Sequence, residues 1–156
     1  TTRPSALKLY CKYKTGKMDI INGMPPGVSL SKEDYDRAEI KFAIGTWDHR
    51  KYGGTPASPV HINTTDASTF VDFSADEATV ANGGLVVYYD GYSINGGAKV
   101  SADTETWIEY TIPLNYHSME ILPTHIIISC ASSRYGDYFS GCSKSSLWID
   151  AFELIY

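Results

Sequence analysis

The sequence predicts an all-β fold, a jelly-roll or two-sheet antiparallel β-sandwich. Several segments alternate apolar and polar residues with a period of two, which is typical of strands with one face in a core. No segment of ten residues or more shows the apolar spacing of a helix, and the connections are rich in the 13 Gly and 7 Pro. At 156 residues the chain is long enough for one core, which predicts a single sandwich domain over 1–156.

The first predicted strand covers 7–14, where apolar residues alternate with Lys and Tyr. A long Gly- and Pro-containing loop follows, in which Ser31 caps one helical turn and Asp34 acts as its acidic partner. Residues 38–47 alternate again and predict a second strand that runs into a Gly- and Pro-rich loop. The remaining elements before the last third are a short strand at 60–62, a helical turn at 76–81, and strands at 85–94 and 106–114. Alternation along 85–94 places Tyr88 and Tyr92 on one face and Tyr89 on the other.

The last third contains two apolar segments that predict strands covered on both faces. One is the run of Ile126, Ile127 and Ile128, and the other is the final stretch 147–156. The loop between them is too polar and too broken by Gly for a helix, yet it is rich in aromatic rings. Fold and function are therefore expected to meet in this loop.

Composition narrows the possible partners. The 12 Tyr outnumber the 5 Phe and 3 Trp together, and tyrosine suits faces that bind sugars or proteins. A net charge of −5 would repel nucleic-acid phosphates, so the sequence predicts no nucleic-acid partner. No apolar run approaches the ~20 residues of a membrane-spanning helix, so no transmembrane segment is expected.

The three cysteines leave two arrangements open. Cys130 and Cys142 are close enough in sequence to form a disulfide across the neck of the loop. A buried thiol at Cys130 and a half-exposed thiol at Cys142 fit the pattern equally well. Cys11 lies in the first strand, and no cysteine or histidine spacing predicts a zinc site.

Catalytic motifs are absent from the sequence. There is no GxSxG elbow, no HExxH, and no motif that fixes a pair of carboxylates across a sugar. Binding residues are easier to propose, because aromatic and polar side chains gather in two loops. The candidate ligand-binding residues are Trp47, His49, Tyr52, Tyr135, Asp137 and Tyr138. Trp107 and Trp148 sit inside strands and are predicted to be core or sheet aromatics.

Three segments carry a family resemblance: RPSALKLYCKYKTG, WIEYTIPLNYHS and the stretch from THIIISC to the end. They resemble the putative carbohydrate metabolism domain of Bacteroidota surface proteins, most specifically in SSRYGDYFSG followed by LWIDAFEL. The resemblance implies a jelly roll similar to carbohydrate-binding modules, at the C-terminus of an exported lipoprotein on the outer-membrane surface. Such domains have further strands before the RP motif. The chain is then either a fragment complemented by an upstream strand or a shorter variant.

The resemblance also implies a structural Ca²⁺ beside Asp150 in the last strand. Calcium needs six to eight oxygens, and no Asp- and Asn-rich loop supplies them, so a solvent-facing or capping role for Asp150 is the alternative. No other cofactor is expected.

The function expected from these observations is noncatalytic binding of a polysaccharide or other glycan by exposed aromatics. The alternatives are a structural or adhesive module that mediates protein contacts, and a glycan-active enzyme.

Overall fold

A computed structural model describes residues 2–58, 63, 66–95 and 105–156 and confirms the all-β prediction. The strands are β1 (Ala6–Lys14), β2 (Ile20–Ile21), β3 (Ala38–Gly45), β4 (Thr79–Tyr88), β5 (Gly91–Ile94), β6 (Ile108–Pro113), β7 (Asn115–Tyr116), β8 (His125–Ala131), β9 (Ser140–Gly141) and β10 (Ser146–Ile155). Helical structure in the described residues is limited to 3₁₀ turns at His49–Tyr52, Ala67–Thr69 and Gly136–Tyr138. The strand predicted at 60–62 lies outside the described residues.

Two antiparallel sheets pack face to face. The larger has the order β5-β4-β3-β8, with β7 added to β4, and the smaller has the order β10-β1-β6. Alternate residues of β1, such as Leu7 and Leu9, are fully buried, as are Ile40 and Phe42 of β3. These side chains belong to one apolar cluster between the sheets, so the predicted β-sandwich is confirmed.

One side of the sandwich is tightly closed. A Cβ atom on Gly83 of β4 would lie 2.5 Å from the carbonyl oxygen of Pro113 in β6, so only glycine allows this approach of the two sheets. The rings of Tyr92 and Tyr110 meet edge to face beside it, with centroids 4.8 Å apart. Asn95 Nδ2 also donates to the carbonyl of Pro113 across the same side, at 3.2 Å.

The opposite side, between β8 and β10, is open, and the prediction that both strands are covered on both faces is wrong. Each pairs with a single neighbour among the described strands. Ile126 lies on the inward-facing row of β8 and Phe152 on that of β10, yet they remain 44% and 47% exposed. A cleft of about 490 Å³ separates the two strands and is lined by Cys130 and Trp148, among others.

Two predictions about local structure are also wrong. Residues 85–94 form a hairpin rather than one strand, because Tyr89 and Asp90 make a two-residue turn between β4 and β5, with Tyr88 paired to Gly91. Tyr88 therefore points outward, while Tyr92 packs against the core. The helical turn predicted at 76–81 is absent, since β4 already begins at Thr79.

At Ser31 the structure has a hydrogen-bonded turn rather than the predicted turn of helix. The Ser31 amide donates to Asp34 Oδ2 at 2.7 Å, and the Asp34 amide donates to the carbonyl of Ser31 at 3.2 Å. This reciprocal pair satisfies donors that a short turn would otherwise leave to solvent.

The tryptophan and cysteine expectations need correction too. Trp107 is 51% exposed and Trp148 is 42% exposed, because both alternate with core residues and so fall on the outer face of the smaller sheet. All three cysteines are free thiols, so the disulfide between Cys130 and Cys142 is not formed. The alternative prediction, a buried Cys130 and a half-exposed Cys142, is also wrong. Cys142 is buried, and Cys130 lies exposed on the open side.

Candidate functional site

A buried carboxylate holds the segment between β8 and β10 in place. Asp36, two residues before β3, is 1% exposed. Its Oδ2 atom accepts hydrogen bonds from Ser133 Oγ at 2.5 Å, Ser145 Oγ at 2.7 Å and the Cys142 amide at 2.8 Å. A buried carboxylate is stable only when donors compensate its lost hydration. The serines of this segment therefore anchor it to the sandwich.

A second set of bonds locks the same segment to the loop after β1. Ser140 Oγ donates to the carbonyl of Gly23 at 2.6 Å and accepts from the amide of Asn22 at 3.0 Å. A side chain on Gly141 would place its Cβ 2.5 Å from Ser133 Oγ, so glycine is required there. The rings of this segment are thus carried on a rigid support.

A groove of about 1070 Å³ lies on the outer face of the larger sheet. Outward-facing residues of β3 and β4 form its floor, among them Glu39, Lys41, Asn82 and Val86. The segment 70–74 forms a wall along the floor. We call this feature the outer groove.

Five half-buried aromatic rings line the outer groove, and they are Trp47, Tyr52, Phe70, Phe73 and Tyr88. The Trp47 and Phe73 rings are 6.0 Å apart at 52°. Trp47 lies over Gly45, where a Cβ would fall 2.8 Å from the indole. The indole Nε1 is buried and lacks a hydrogen-bond partner within the described part of the chain. A donor in this position is costly unless an acceptor reaches it.

Charged side chains occupy one end of the outer groove. Glu39 Oε1 lies 3.2 Å from Arg134 Nε, and Glu39 Oε2 lies 2.9 Å from Lys41 Nζ. The guanidinium of Arg37 lies over the Tyr88 ring, 5.1 Å from its centroid. Both oxygens of Glu39 are therefore held by cations, while the guanidinium groups border the groove.

Two more acidic groups lie in or next to the wall segment 70–74. The hydroxyl and amide of Ser74 donate to Asp72 Oδ1 at 2.6 Å and 2.8 Å, and these bonds lower the pKa of Asp72. The Tyr52 hydroxyl lies 2.8 Å from each carboxylate oxygen of Asp76. Burial, and then this contact, raises the pKa of Tyr52 to about 12. Tyr52 is thus a neutral donor with a fixed ring.

The outer groove brings together part of the predicted site. Trp47, Tyr52 and Asp137 all line it. Tyr138 is held beside it through an edge-to-face contact with Phe70, whose centroid is 6.0 Å away. Two loops that are far apart in sequence therefore meet at one surface.

Tyr135 and His49 lie elsewhere. Tyr135 lines a separate small cleft of about 100 Å³, and the Arg134 guanidinium lies 5.7 Å from its ring centroid. His49 is in a 3₁₀ turn, with Nδ1 3.9 Å from Asp48 Oδ1.

Asp150 lies on the smaller sheet, away from the outer groove. Its Oδ1 atom accepts from the amide of Ala151 at 2.8 Å, where β10 bulges and Ala151 adopts a φ of 54°. Within the described residues, no three His, Cys, Asp or Glu side chains are grouped so that they could hold a metal ion. The calcium hypothesis for Asp150 stays a prediction that calcium titration would test.

Sequence reasoning missed several residues of the outer groove. Phe70 and Phe73 gave an ambiguous pattern, and Tyr88 was placed on the same face as Tyr92, whose ring packs against the core instead. Arg37 and Arg134 carried no motif. The alternation of Glu39 and Lys41 with buried neighbours did indicate the outward face of β3. It did not indicate that a loop would form a wall along this face.

Comparison with protein families identifies the chain. Residues 1–155 match the model of the putative carbohydrate metabolism domain, and the chain belongs to this family. A comparison with curated proteins finds no match.

Two solved structures share the fold. A crystal structure described as a putative glycoside hydrolase from Bacteroides thetaiotaomicron aligns with 98% of this chain at a TM-score of 0.57 and 21% identity. One of the same description from Bacteroides vulgatus aligns with 98% at a TM-score of 0.53 and 19% identity. The chain spans 38% and 52% of the lengths of these two proteins.

Proposed function

We propose that this member of the carbohydrate metabolism family is a noncatalytic module that binds a glycan chain in the outer groove. The observation that carries the proposal is the grouping of five half-buried rings with cationic and amide side chains in one concave surface. Aromatic rings stack on the apolar faces of sugars, and planar polar groups bond to their hydroxyls.

Two of the carboxylates that line the outer groove, Glu39 and Asp72, favour binding over hydrolysis. Glycosidases need an acid with a raised pKa facing a second carboxylate. Here Glu39 has both oxygens engaged by Lys41 and Arg134, and the pKa of Asp72 is lowered rather than raised. Neither is suited to donate a proton to a leaving group.

Affinity electrophoresis and calorimetry against a panel of polysaccharides test the proposal. Trp47→Ala is expected to weaken binding by about 1 kcal/mol or more, because a stacking ring is removed. Tyr135→Ala, whose ring lies in the neighbouring cleft, is expected to weaken it less. Tyr89→Ala is the matched control, since the Tyr89 ring is exposed and stacks on Tyr35 outside the groove.

The melting temperature of each variant must be measured alongside binding, because Trp47 also packs on Phe73. Equal loss of binding in Trp47→Ala and Tyr89→Ala would contradict the assignment of the groove. Release of reducing ends from any polysaccharide that binds would favour the enzyme alternative.

We also propose that the sandwich is one module of a longer exported bacterial protein, at the outer-membrane surface or secreted. The family membership and the two longer Bacteroides structures support this. None of the helical turns in the described residues has the length and hydropathy of a membrane-spanning helix. Cell fractionation and surface proteolysis of the full-length protein test the location.

The open side of the sandwich favours a further partner, a strand from another segment of the same polypeptide. β8 and β10 each leave one edge unpaired among the described strands, and apolar residues such as Ile126 and Phe152 face the gap between them. An added strand would pair with such an edge and cover these side chains. Both solved relatives are long enough to contain such a segment.

Light scattering and urea unfolding, with and without upstream sequence, test this role. The extended chain is expected to be monomeric and more stable, whereas the 156 residues alone are expected to be less stable or to associate. Ile126→Asp should remove most of the gain from the extension while changing the shorter chain little, because Ile126 is exposed there. Equal stability of the two lengths, with a monomeric short chain, would exclude the strand.

A further inference from the structure

The outer face of the smaller sheet carries an aromatic pair that the outer groove does not include. Lys12 of β1 is paired in register with Trp148 of β10, and Trp107 directly precedes β6 on the other side of β1. The ammonium group of Lys12 lies 4.5 Å from the Trp148 ring centroid and 5.9 Å from that of Trp107. A cation therefore sits between two indoles across all three strands. We call these three residues the tryptophan platform.

Exposure of the tryptophan platform is unusual for side chains of this size. Trp148 is 42% exposed and Trp107 is 51% exposed, and Tyr10 on the next row is 37% exposed. Tryptophan left in solvent at two neighbouring positions marks a contact surface more often than a structural one. The contact with Lys12 restrains the rings, so a ligand would not have to order them.

The charge pattern indicates which ligand fits. Lys8, on the same face of β1, is neutralised by Glu153 at 2.5 Å. Within the described residues, Lys12 and Lys14 form no ion pair with a carboxylate. The ammonium group of Lys12 instead lies over the faces of the two rings, where it can pair with an anionic group of a ligand.

The surroundings favour a sugar chain over a protein partner. The rings are two strands apart, roughly 9–10 Å at the backbone, which suits every second unit of a saccharide chain. Beside them lie Tyr10, Glu109 and Asp150, and the Tyr10 hydroxyl bonds to the Glu109 carboxylate. These groups can exchange hydrogen bonds with hydroxyls, whereas a protein interface usually has few charges at its centre.

We propose that the tryptophan platform is a second binding site, specific for an acidic polysaccharide whose carboxylate pairs with Lys12 while its sugar rings stack on Trp107 and Trp148. The site lies on the opposite sheet from the outer groove and does not depend on glycan binding there. A strand added at the edge of β10 would extend the same sheet and leave this face open.

Polygalacturonate and its carboxyl-reduced, neutral form are the probes. The wild-type chain is expected to be retarded in native gels by polygalacturonate and much less by the reduced polymer. Lys12→Met and Trp148→Ala should each weaken binding about tenfold, the effect of losing one charge-assisted or stacking contact. Trp148→Phe should retain most of the binding, and near-equal melting temperatures would show that the variants are folded.

One control variant distinguishes binding at the tryptophan platform from general charge attraction. Lys32→Met removes one positive charge from an exposed turn and should leave binding unchanged. A loss with Lys32→Met equal to that with Lys12→Met would mean unspecific charge attraction and overturn the proposal. The proposal also fails if polygalacturonate does not bind, or if Trp148→Ala instead abolishes self-association of the chain.

Discussion

Asp36→Asn is expected to destabilise the protein because neither orientation of the new amide can satisfy its neighbours. Oδ1 of Asp36 accepts from the Arg37 amide and Oδ2 from the Cys142 amide, each at 2.8 Å. Backbone N–H groups cannot rotate away. Whichever way the asparagine points, its NH₂ group therefore faces a donor, and one buried N–H loses its acceptor.

The magnitude follows from these contacts. An unpaired buried donor costs ~1–3 kcal/mol, and the remaining bonds weaken when the acceptor loses its charge. Part of this loss is offset, because an amide costs less to bury than a carboxylate without a cation. We expect the free energy of unfolding to fall by about 2–3 kcal/mol.

Urea unfolding followed by circular dichroism measures the change, with an unchanged slope as evidence that the same structure unfolds. Asp34→Asn is the matched control. Asp34 also accepts a backbone amide, from Ser31 at 2.7 Å, but it is exposed and water can replace the bond. A stability of Asp36→Asn within ~0.5 kcal/mol of wild type would refute the role assigned to Asp36.

Three other outcomes are expected. Cys130 should react with iodoacetamide in the folded protein, while Cys11 and Cys142 should react only on unfolding. Partial burial raises the pKa of Cys130, so its reaction at pH 7.5 should be slower than that of a free thiol. The absence of any reactive thiol would indicate a disulfide. Burial raises the pKa of Tyr13 to about 12, whereas an unfolded tyrosine loses its proton near pH 10. The contribution of Tyr13 to the free energy of unfolding is therefore complete below pH ~10 and falls by ~1.4 kcal/mol per pH unit up to about 12. Urea unfolding at a series of pH values would measure this fall, and a flat profile would contradict it. Trp107→Ala, which leaves the core intact, should cost less than the ~3–5 kcal/mol of a core aromatic, as thermal unfolding would show.

Sequence patterns predicted β1, β3 and β6 well because one face of each strand is buried by other residues of this same chain. In β1, Leu7, Leu9 and Cys11 are buried and the residues between them face outward, so alternation in sequence is alternation in space. The same logic failed for Trp107, since a large ring in an alternating segment was taken for a core residue although its parity with Ile108 placed it outside.

The candidate site was predicted only in part because a groove is a tertiary feature. Trp47 and Asp137 are 90 residues apart in the sequence and meet only because β3 and β8 are neighbours in the sheet. The anchoring role of Asp36 was also invisible, since its partners lie about 100 residues later. The Ser-rich loop that contains those partners was taken for a binding loop because its contacts with Asp36 cannot be read from the sequence.

The error at β8 and β10 has a different origin. The sequence of β8 is apolar at successive positions, a pattern typical of strands buried on both faces, and Ile127 indeed lies in the outer groove while Ile126 faces inward. What is missing is a cover for the inward row, because the sandwich is open between β8 and β10. Exposing Ile126 and Phe152 forgoes about 25 cal/mol for each Å² of apolar surface that a covering strand would bury. The disagreement between pattern and exposure is therefore itself an argument for the proposed added strand: the composition of these two strands suits a sandwich with one more neighbour than the described residues supply.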